Sequence, residues 1–149
     1  MEAVVFVGLQ GAGKSTFYKE RFFGTHVRVN LDMLKTRHRE KRVVQACIDT
    51  GQPFVVDNTN PTRAERAVYV RAAKDAGFRV SGYYLQSRVE DCKRRNGLRP
   101  LDQQVPLKGI LGTAGRMELP TRDEGFDALY YVRIDDTGAF VVEEWSDEV

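Results

Sequence analysis

Cysteine, histidine and tryptophan are scarce in this sequence of 149 residues, which holds two, two and one of them. Cys47 and Cys92 lie far apart in the chain, and neither belongs to a CxxC pair or stands near a pair of histidines. A disulfide framework and a zinc site are therefore not expected. This cysteine usage favours a reducing compartment, and we expect a cytoplasmic location.

Long apolar runs are also missing, because no stretch approaches the roughly 18 apolar residues that a membrane-spanning helix needs. The first apolar run, residues 3–7, has no basic residue before it and is typical of a buried strand, not of a signal peptide. We therefore expect no membrane partner. With 42% hydrophobic and 30% charged residues, the composition fits a single globular domain over residues 1–149.

Charge of the two signs is unevenly distributed. The last 15 residues contain acidic residues and no basic ones, although the whole chain has a net charge of +2. The acidic residues of this C-terminal group are Asp135, Asp136, Glu143, Glu144, Asp147 and Glu148. The preceding residues hold 23 basic and 15 acidic side chains, and this net positive body could bind a polyanion. Solvated arginine-rich helix faces would give the same composition.

Strand and helix patterns alternate along the chain. Predicted strands cover residues 3–7, 27–29, 54–56, 78–85, 129–134 and 139–143. Predicted helices cover about 14–23, 32–49 and 89–97, and another opens with Asn60 as its cap and Pro61 at its first position. Repeated β-α units predict an α/β fold, a parallel sheet flanked by helices. Ligands of such sheets bind beyond the carboxyl ends of the strands.

A glycine-rich segment joins the first strand to the first helix. The sequence GLQGAGKS, residues 8–15, matches GxxxxGK[ST] at every fixed position. Glycines allow successive backbone N–H groups to face phosphate oxygens, and the helix N-terminus adds its dipole. Lys14 would reach the β- and γ-phosphates of ATP or another nucleoside triphosphate, and Ser15 would bind Mg²⁺. The predicted nucleotide-binding residues are Gly8, Gly11, Ala12, Gly13, Lys14, Ser15 and Thr16.

Two carboxylates follow predicted strands. Asp32 comes just after the second strand, where a carboxylate could position an acceptor hydroxyl and take its proton. It could equally cap the following helix. Asp57 ends the third strand, as in the Walker B pattern of an acidic residue that assists Mg²⁺. Turn chemistry is the alternative for residues 57–60, but the phosphate-binding motif favours a metal role for Asp57.

Two basic segments flank these motifs. Arg95 and Arg99 lie in a segment, about residues 93–116, that could close over the triphosphate as a helical lid and neutralise the transferred phosphoryl group. Lys93 and Arg94 fit a solvated helix better. The second segment follows Asp32 and would meet the phosphates of a nucleic-acid strand. Its basic residues are Lys35, Arg37, His38, Arg39, Lys41 and Arg42.

These motifs together resemble the 5′-kinase domain of the polynucleotide kinase family. The resemblance covers nearly the whole chain and depends on several stretches. They are residues 8–16, the VNLD of residues 29–32, the VVDNTNP of residues 55–61 with AAKDAG at 72–77, the RNxxR of residues 95–99, and ELPT with EGF between residues 118 and 126. The first is shared by many kinases, whereas the other stretches together, VNLD included, are fairly specific.

The resemblance implies a P-loop kinase fold with five parallel strands, Asp32 as general base, and Arg95 and Arg99 as lid arginines. Bacterial and phage members hold the acceptor phosphate with an arginine three residues after the base. Lys35 stands there in this chain, and Arg39 is the candidate that replaces it. Leu31 stands where the family has the arginine of VNRD. The sequence contains no phosphatase motif, so we expect no 3′-end processing.

The predicted acceptor-binding residues are Asp32, Lys35, Arg39, Asp57 and Thr59, and the predicted metal-binding residues are Ser15 and Asp57. The sequence thus predicts an ATP- and Mg²⁺-dependent polynucleotide 5′-hydroxyl kinase that acts on the ends of DNA or RNA. Two alternatives are a kinase of the same fold with a sugar, nucleoside or antibiotic acceptor, and a nucleotide-binding module without turnover. Acceptor binding that weakens sharply with salt would favour the nucleic acid.

Overall fold

The computed structural model describes residues 1–147, so Glu148 of the acidic C-terminal group lies outside the described residues. The strands are β1 (Glu2–Val7), β2 (Val27–Val29), β3 (Phe54–Val56), β4 (Arg79–Leu85), β5 (Ala128–Ile134) and β6 (Phe140–Glu144). The α-helices are α1 (Lys14–Arg21), α2 (Leu31–Leu34), α3 (Arg37–Thr50), α4 (Arg63–Asp75), α5 (Val89–Gly97) and α6 (Leu107–Arg116). Two 3₁₀ turns cover Leu101–Gln103 and Arg122–Glu124.

One sheet contains all these strands, in the order β2-β3-β1-β4-β5-β6. The first five are parallel, which confirms the predicted parallel sheet, and β6 returns antiparallel to β5. The chain crosses from β3 on one side of β1 to β4 on its other side. Ligands of α/β sheets bind at such a switch point, beyond the carboxyl end of the central strand.

The centre of the core is β1, whose residues from Ala3 to Val7 have no solvent exposure. Side chains alternate between the faces of a strand, so Ala3, Val5 and Val7 pack into one apolar cluster, while Val4 and Phe6 pack into another. Helices α3 and α4 contribute residues to the first cluster, and α1 contributes to the second. Burial on both faces explains the continuous apolar run at the start of the sequence.

Two of the predicted helix boundaries are wrong. The helix expected over residues 32–49 is two helices, α2 and α3, separated at Lys35, which has a φ of 75°. Thr36 then caps α3 by accepting a hydrogen bond from the N–H of Arg39. Asn60 does not cap α4, because its side chain donates instead to the carbonyl of Phe6 on β1. Thr62 is the cap, and α4 begins at Arg63.

Candidate active site at the carboxyl end of the sheet

A cavity of about 360 Å³ opens where the loops after β1, β2 and β3 meet. The residues predicted from sequence that line it are Lys14, Ser15, Asp32, Asp57, Thr59 and Arg99. A second, outer cavity of about 540 Å³ shares Ser15, Asp32 and Arg99 with the first. The first, inner cavity is by itself lined by residues that extend from Lys14, beside the glycine-rich loop, to Asp32 at the start of α2.

The backbone conformation of the glycine-rich loop depends on its glycines. Gly11 and Gly13 have φ angles of +84° and +97°, in the left-handed region that favours glycine. A Cβ at Gly11 would stand 2.3 Å from the carbonyl oxygen of Cys92 on α5. Gly13 occupies the N-cap of α1 and offers no side chain to its first turn. The N-terminus of α1 therefore remains available to an anion.

Lys14 is buried beside this loop. Its Nζ donates hydrogen bonds to the carbonyl oxygens of Gly8 at 3.0 Å and Leu9 at 2.7 Å. Burial lowers the pKa of Lys14 to about 8, although the nearby Asp57 carboxylate acts in the opposite direction. A desolvated ammonium of this kind gains much from the arrival of an anion, as expected of a phosphate-binding lysine.

Ser15 and Asp57, the predicted metal-binding residues, lie in contact. The Ser15 hydroxyl donates to Asp57 Oδ2 at 3.2 Å, and the Asp57 side chain is only 1% exposed. A carboxylate and a hydroxyl suit Mg²⁺, which binds few protein oxygens and completes its shell with water and substrate phosphate. Residues 1–147 contain no group of three or more His, Cys, Asp or Glu side chains placed to hold a metal. The pair therefore fits an ion shared with a nucleotide.

Arg28 contacts both Ser15 and Asp57, and the sequence did not predict it as part of the site. Its Nε donates to Asp57 Oδ2 at 2.8 Å, and its Nη2 donates to Ser15 Oγ at 2.9 Å. On β2, Val29 packs into the cluster below α3 and α4, and alternation places Arg28 on the opposite face, where α1 lies. This alternation, together with a carboxylate buried at the end of the neighbouring strand, is the signal that could have found Arg28.

Asp32 is the second residue of α2, and its side chain is exposed to the cavity. Asn30 caps α2 instead, because its Oδ1 accepts from the N–H of Met33. The Asn30 amide also donates to the carbonyl of Asp57 at 2.7 Å, which ties the start of α2 to the end of β3. Asn30, not Asp32, therefore caps α2, and Asp32 lines both cavities.

A buried polar network supports the backbone next to Asp32. Asn58 accepts a hydrogen bond from the N–H of Leu31 at 2.9 Å and donates to Glu40 Oε2 at 2.8 Å. Glu40 is 4% exposed, and its other oxygen accepts from Arg37 and from the Tyr69 hydroxyl. Burial, reinforced by Glu40, raises the pKa of Tyr69. Sequence reasoning did not identify Asn58 or Glu40 as part of the site.

The predicted acceptor-binding residues are placed differently from one another. Lys35 lines the outer cavity, and Thr59 lines the inner one while its carbonyl accepts from the N–H of Gly8 at 3.0 Å. Arg39 is exposed and donates to the carbonyl of Leu34 at 3.4 Å, outside the lining of both cavities. Arg37, two residues earlier, lines the inner cavity. Of the two arginines, only Arg37 therefore faces the site.

The predicted lid begins on α5. Arg95 Nη1 lies 3.4 Å from the carbonyl oxygen of Gly11, and Arg99 lines both cavities. Asn96 closes the segment that follows, because its amide donates to the carbonyl of Val105 at 2.7 Å and accepts from the N–H of Val105 at 2.9 Å. Residues 97–104 thus form a loop that is fixed at both ends, beside the glycine-rich loop.

Helix α6 also reaches the glycine-rich loop. The Gln10 side chain donates to the hydroxyl of Thr113 at 3.0 Å. Within residues 1–147, Gln10 Oε1 is the single buried side-chain nitrogen or oxygen without a hydrogen-bond partner. Gln10 lines the inner cavity. A hydrogen-bond donor on a bound ligand would satisfy this oxygen.

Residues 4–120 match the sequence model of a protein family described as an AAA domain. The chain belongs to this AAA-domain family. The AAA domain is similar to a bifunctional polynucleotide phosphatase/kinase from Schizosaccharomyces pombe, with 30% identity over 129 residues, 84% of this chain and 32% of the relative. The chain spans about a third of the length of the curated relatives it matches. The resemblance to polynucleotide kinases is thereby confirmed.

Solved structures share the fold of this AAA domain. A sugar kinase from Janibacter sp. HTCC2649 has a TM-score of 0.70 at 16% identity, with 89% of this chain and 85% of that chain covered. Chaetomium thermophilum Kti12, solved in complex with ADP-AlF3, has a TM-score of 0.63 at 17% identity, with 91% and 92% covered. The P-loop kinase fold is confirmed. Within residues 1–147, none of the helices has the length and apolar composition that crossing a bilayer requires.

Proposed function

We propose that this AAA domain is an ATP- and Mg²⁺-dependent polynucleotide kinase, which transfers the γ-phosphate to the 5′-hydroxyl end of DNA or RNA. One observation carries the proposal: the inner cavity is lined both by Lys14 and Ser15 of the phosphate-binding loop and by Asp32, whose side chain is exposed. Donor phosphate and acceptor hydroxyl would meet in this cavity.

The reaction would form a bond between the 5′-oxygen of the acceptor and the γ-phosphorus, and it would break the bond to the β-γ bridging oxygen. Asp32 would position the hydroxyl and accept its proton, and ADP would leave. Lys14 and the backbone N–H groups of the loop would hold the β- and γ-phosphates. When bound to Ser15 and Asp57, Mg²⁺ would neutralise charge on those phosphates.

Arg95 and Arg99 would act as the lid arginines. Arg95 already contacts the glycine-rich loop, and Arg99 lines both the inner and the outer cavity. Arginines in these positions would stabilise the negative charge of the phosphoryl group in the transition state. Closure of residues 97–104 would also exclude water, which would otherwise compete with the acceptor for the γ-phosphate.

The basic surface at the start of α3 favours a nucleic acid as the acceptor. Lys35 and Arg37 line the cavities beside Asp32, and His38, Arg39 and Lys41 are exposed along α3. Charges of this sign would hold the phosphates that follow the 5′-hydroxyl. The name of the Schizosaccharomyces pombe relative supports the same acceptor class.

The cysteines Cys47 and Cys92 are free and buried, which supports a cytoplasmic location.

Transfer of labelled γ-phosphate from ATP to oligonucleotides with a 5′-hydroxyl tests the proposal. DNA and RNA should be assayed in parallel with Mg²⁺, and the same oligonucleotides carrying a 5′-phosphate are the matched control. We expect label on the 5′-hydroxyl oligonucleotides alone, and weaker acceptor binding as salt rises. Binding of ATP without transfer to either polymer, followed by transfer to a sugar or nucleoside, would contradict the polynucleotide acceptor.

The lowered pKa of Lys14 predicts the pH dependence of ATP binding. Phosphates favour the charged ammonium, so above pH 8 binding must be accompanied by proton uptake. We expect the dissociation constant of ATP to rise by up to about tenfold per pH unit above pH 8. Calorimetry in two buffers of different ionisation enthalpy measures the proton uptake. A constant affinity up to pH 10, or the same rise in Lys14→Met, would contradict this assignment.

A further inference from the structure

Arg28 contacts the candidate metal-binding residues, although the proposed phosphoryl transfer assigns it no part. The carboxylate of Asp57 is almost fully buried, and a buried ion is costly unless a counter-charge accompanies it. The Arg28 guanidinium supplies that charge with a 2.8 Å contact to Asp57 Oδ2, and it also donates to Ser15 Oγ at 2.9 Å. One side chain thus bridges both residues of the candidate metal site.

Arg28 contacts one oxygen of each of the two side chains that would hold Mg²⁺. A guanidinium needs the lone pairs of those oxygens for its N–H groups, and a metal ion needs them for coordination. The guanidinium and the metal ion would also repel each other if both contacted the same two side chains. We propose that Arg28 is the resident counter-ion of Asp57 in the metal-free protein, and that it competes with the divalent cation for this site. This inference rests on the metal site of the proposed function.

Arg28 can leave the two oxygens without disturbing the core. Its side chain is 28% exposed and lines the outer cavity together with Thr16 and Lys35. It extends from β2, an edge strand of three residues. Departure would therefore move an arginine into open space, while its own backbone stays in the sheet. Asp57 then keeps a cation in both states, the guanidinium before metal binding and the metal afterwards.

Direct binding of Mn²⁺, measured by its electron paramagnetic resonance signal without nucleotide, tests the competition. We expect Arg28→Gln to bind Mn²⁺ about tenfold or more tightly than the unchanged protein, because the competing charge is gone. Arg28→Lys keeps the positive charge but loses the planar guanidinium that contacts both oxygens. Its Mn²⁺ affinity should therefore lie between those of the unchanged protein and Arg28→Gln. Arg63→Gln removes an exposed arginine from another ion pair and is the matched control, with no expected change.

Thermal unfolding gives a second measurement that does not depend on activity. Arg28→Gln should melt below the unchanged protein in EDTA and regain most of that loss in millimolar Mg²⁺, whereas the unchanged protein should respond little. Asp57→Asn combined with Arg28→Gln should remove this Mg²⁺ response, because the buried charge has gone. Equal Mn²⁺ affinity of Arg28→Gln and the unchanged protein would overturn the inference.

The two proposals fail in different ways. If Arg28→Gln binds Mn²⁺ no more tightly while phosphate still reaches the oligonucleotides, the competition is wrong and the polynucleotide kinase stands. If Mn²⁺ affinity rises as expected while no oligonucleotide is labelled, Arg28 is the counter-ion and the acceptor class is wrong. If neither protein binds Mn²⁺, even with ATP present, the metal site itself is overturned and the inference falls with it.

Discussion

Asp32→Asn should lower kcat for phosphate transfer by about 10²- to 10⁴-fold, the contribution typical of a general base, and leave the dissociation constant of ATP unchanged. The amide keeps the size and polarity of the carboxylate but cannot accept the hydroxyl proton. Because Asn30 caps α2, loss of the Asp32 charge should not disturb the helix. Steady-state transfer to a 5′-hydroxyl oligonucleotide measures kcat, and calorimetric titration with ATP measures affinity.

Asp75→Asn is the matched control for this experiment. It makes the same chemical change at the exposed last residue of α4, which lines neither cavity. Full activity of Asp75→Asn beside loss of activity in Asp32→Asn would assign the effect to position. Substantial turnover by Asp32→Asn would show that another group takes the proton, and the assignment of Asp32 would be wrong.

Arg66→Ala should lower the free energy of unfolding by on the order of 3–5 kcal/mol. Arg66 has no solvent exposure, and its Nε and Nη2 donate to the two carboxylate oxygens of Glu124 at 2.8 and 3.0 Å. Its Nη1 also donates to the carbonyls of Asn60 and Glu118, each at 3.0 Å. Alanine would leave a carboxylate buried without its partner. Urea denaturation followed by circular dichroism measures the loss.

Arg63→Ala is the control on the same helix, one turn earlier. Arg63 joins α4 to the same 3₁₀ turn through Asp123, but both side chains are exposed. Exposed ion pairs contribute little, so this variant should unfold at nearly the same urea concentration as the unchanged protein. Equal losses from both substitutions would mean that burial of the Arg66 pair does not determine its contribution.

The sheet and the phosphate-binding loop were predictable because their signals are local. The run from Ala3 to Val7 is typical of a strand buried on both faces, and the glycines of the loop match a fixed pattern. The start of α4 was predicted wrongly because a side chain has a distant partner. Asn60 was predicted to cap α4, but its side-chain amide donates a hydrogen bond to the carbonyl of Phe6 instead. No pattern within a few residues of Asn60 indicates that contact.

The parts of the site that the sequence did not predict depend on contacts between strands and helices distant in the chain. Arg28, Asn58 and Glu40 reach their partners only after the parallel sheet has formed. The basic residues of α3 can be recognised in the sequence, but the rotation of the helix about its axis decides which arginine faces the cavity. The positive φ of Lys35 separates α2 from α3 and thereby fixes the rotation of α3. As a result, Arg37 and not Arg39 lines the inner cavity.

The paired hydrogen bonds between Asn96 and Val105 have a consequence for evolution and engineering. The asparagine amide imitates one rung of a backbone ladder, so the spacing of the loop's two ends does not depend on the eight residues between them. Doubling the length of such a loop costs only about 0.6 kcal/mol in closure entropy. Residues 100–104 can therefore lengthen, shorten or be replaced, while Arg95, Arg99 and the glycine-rich loop are retained.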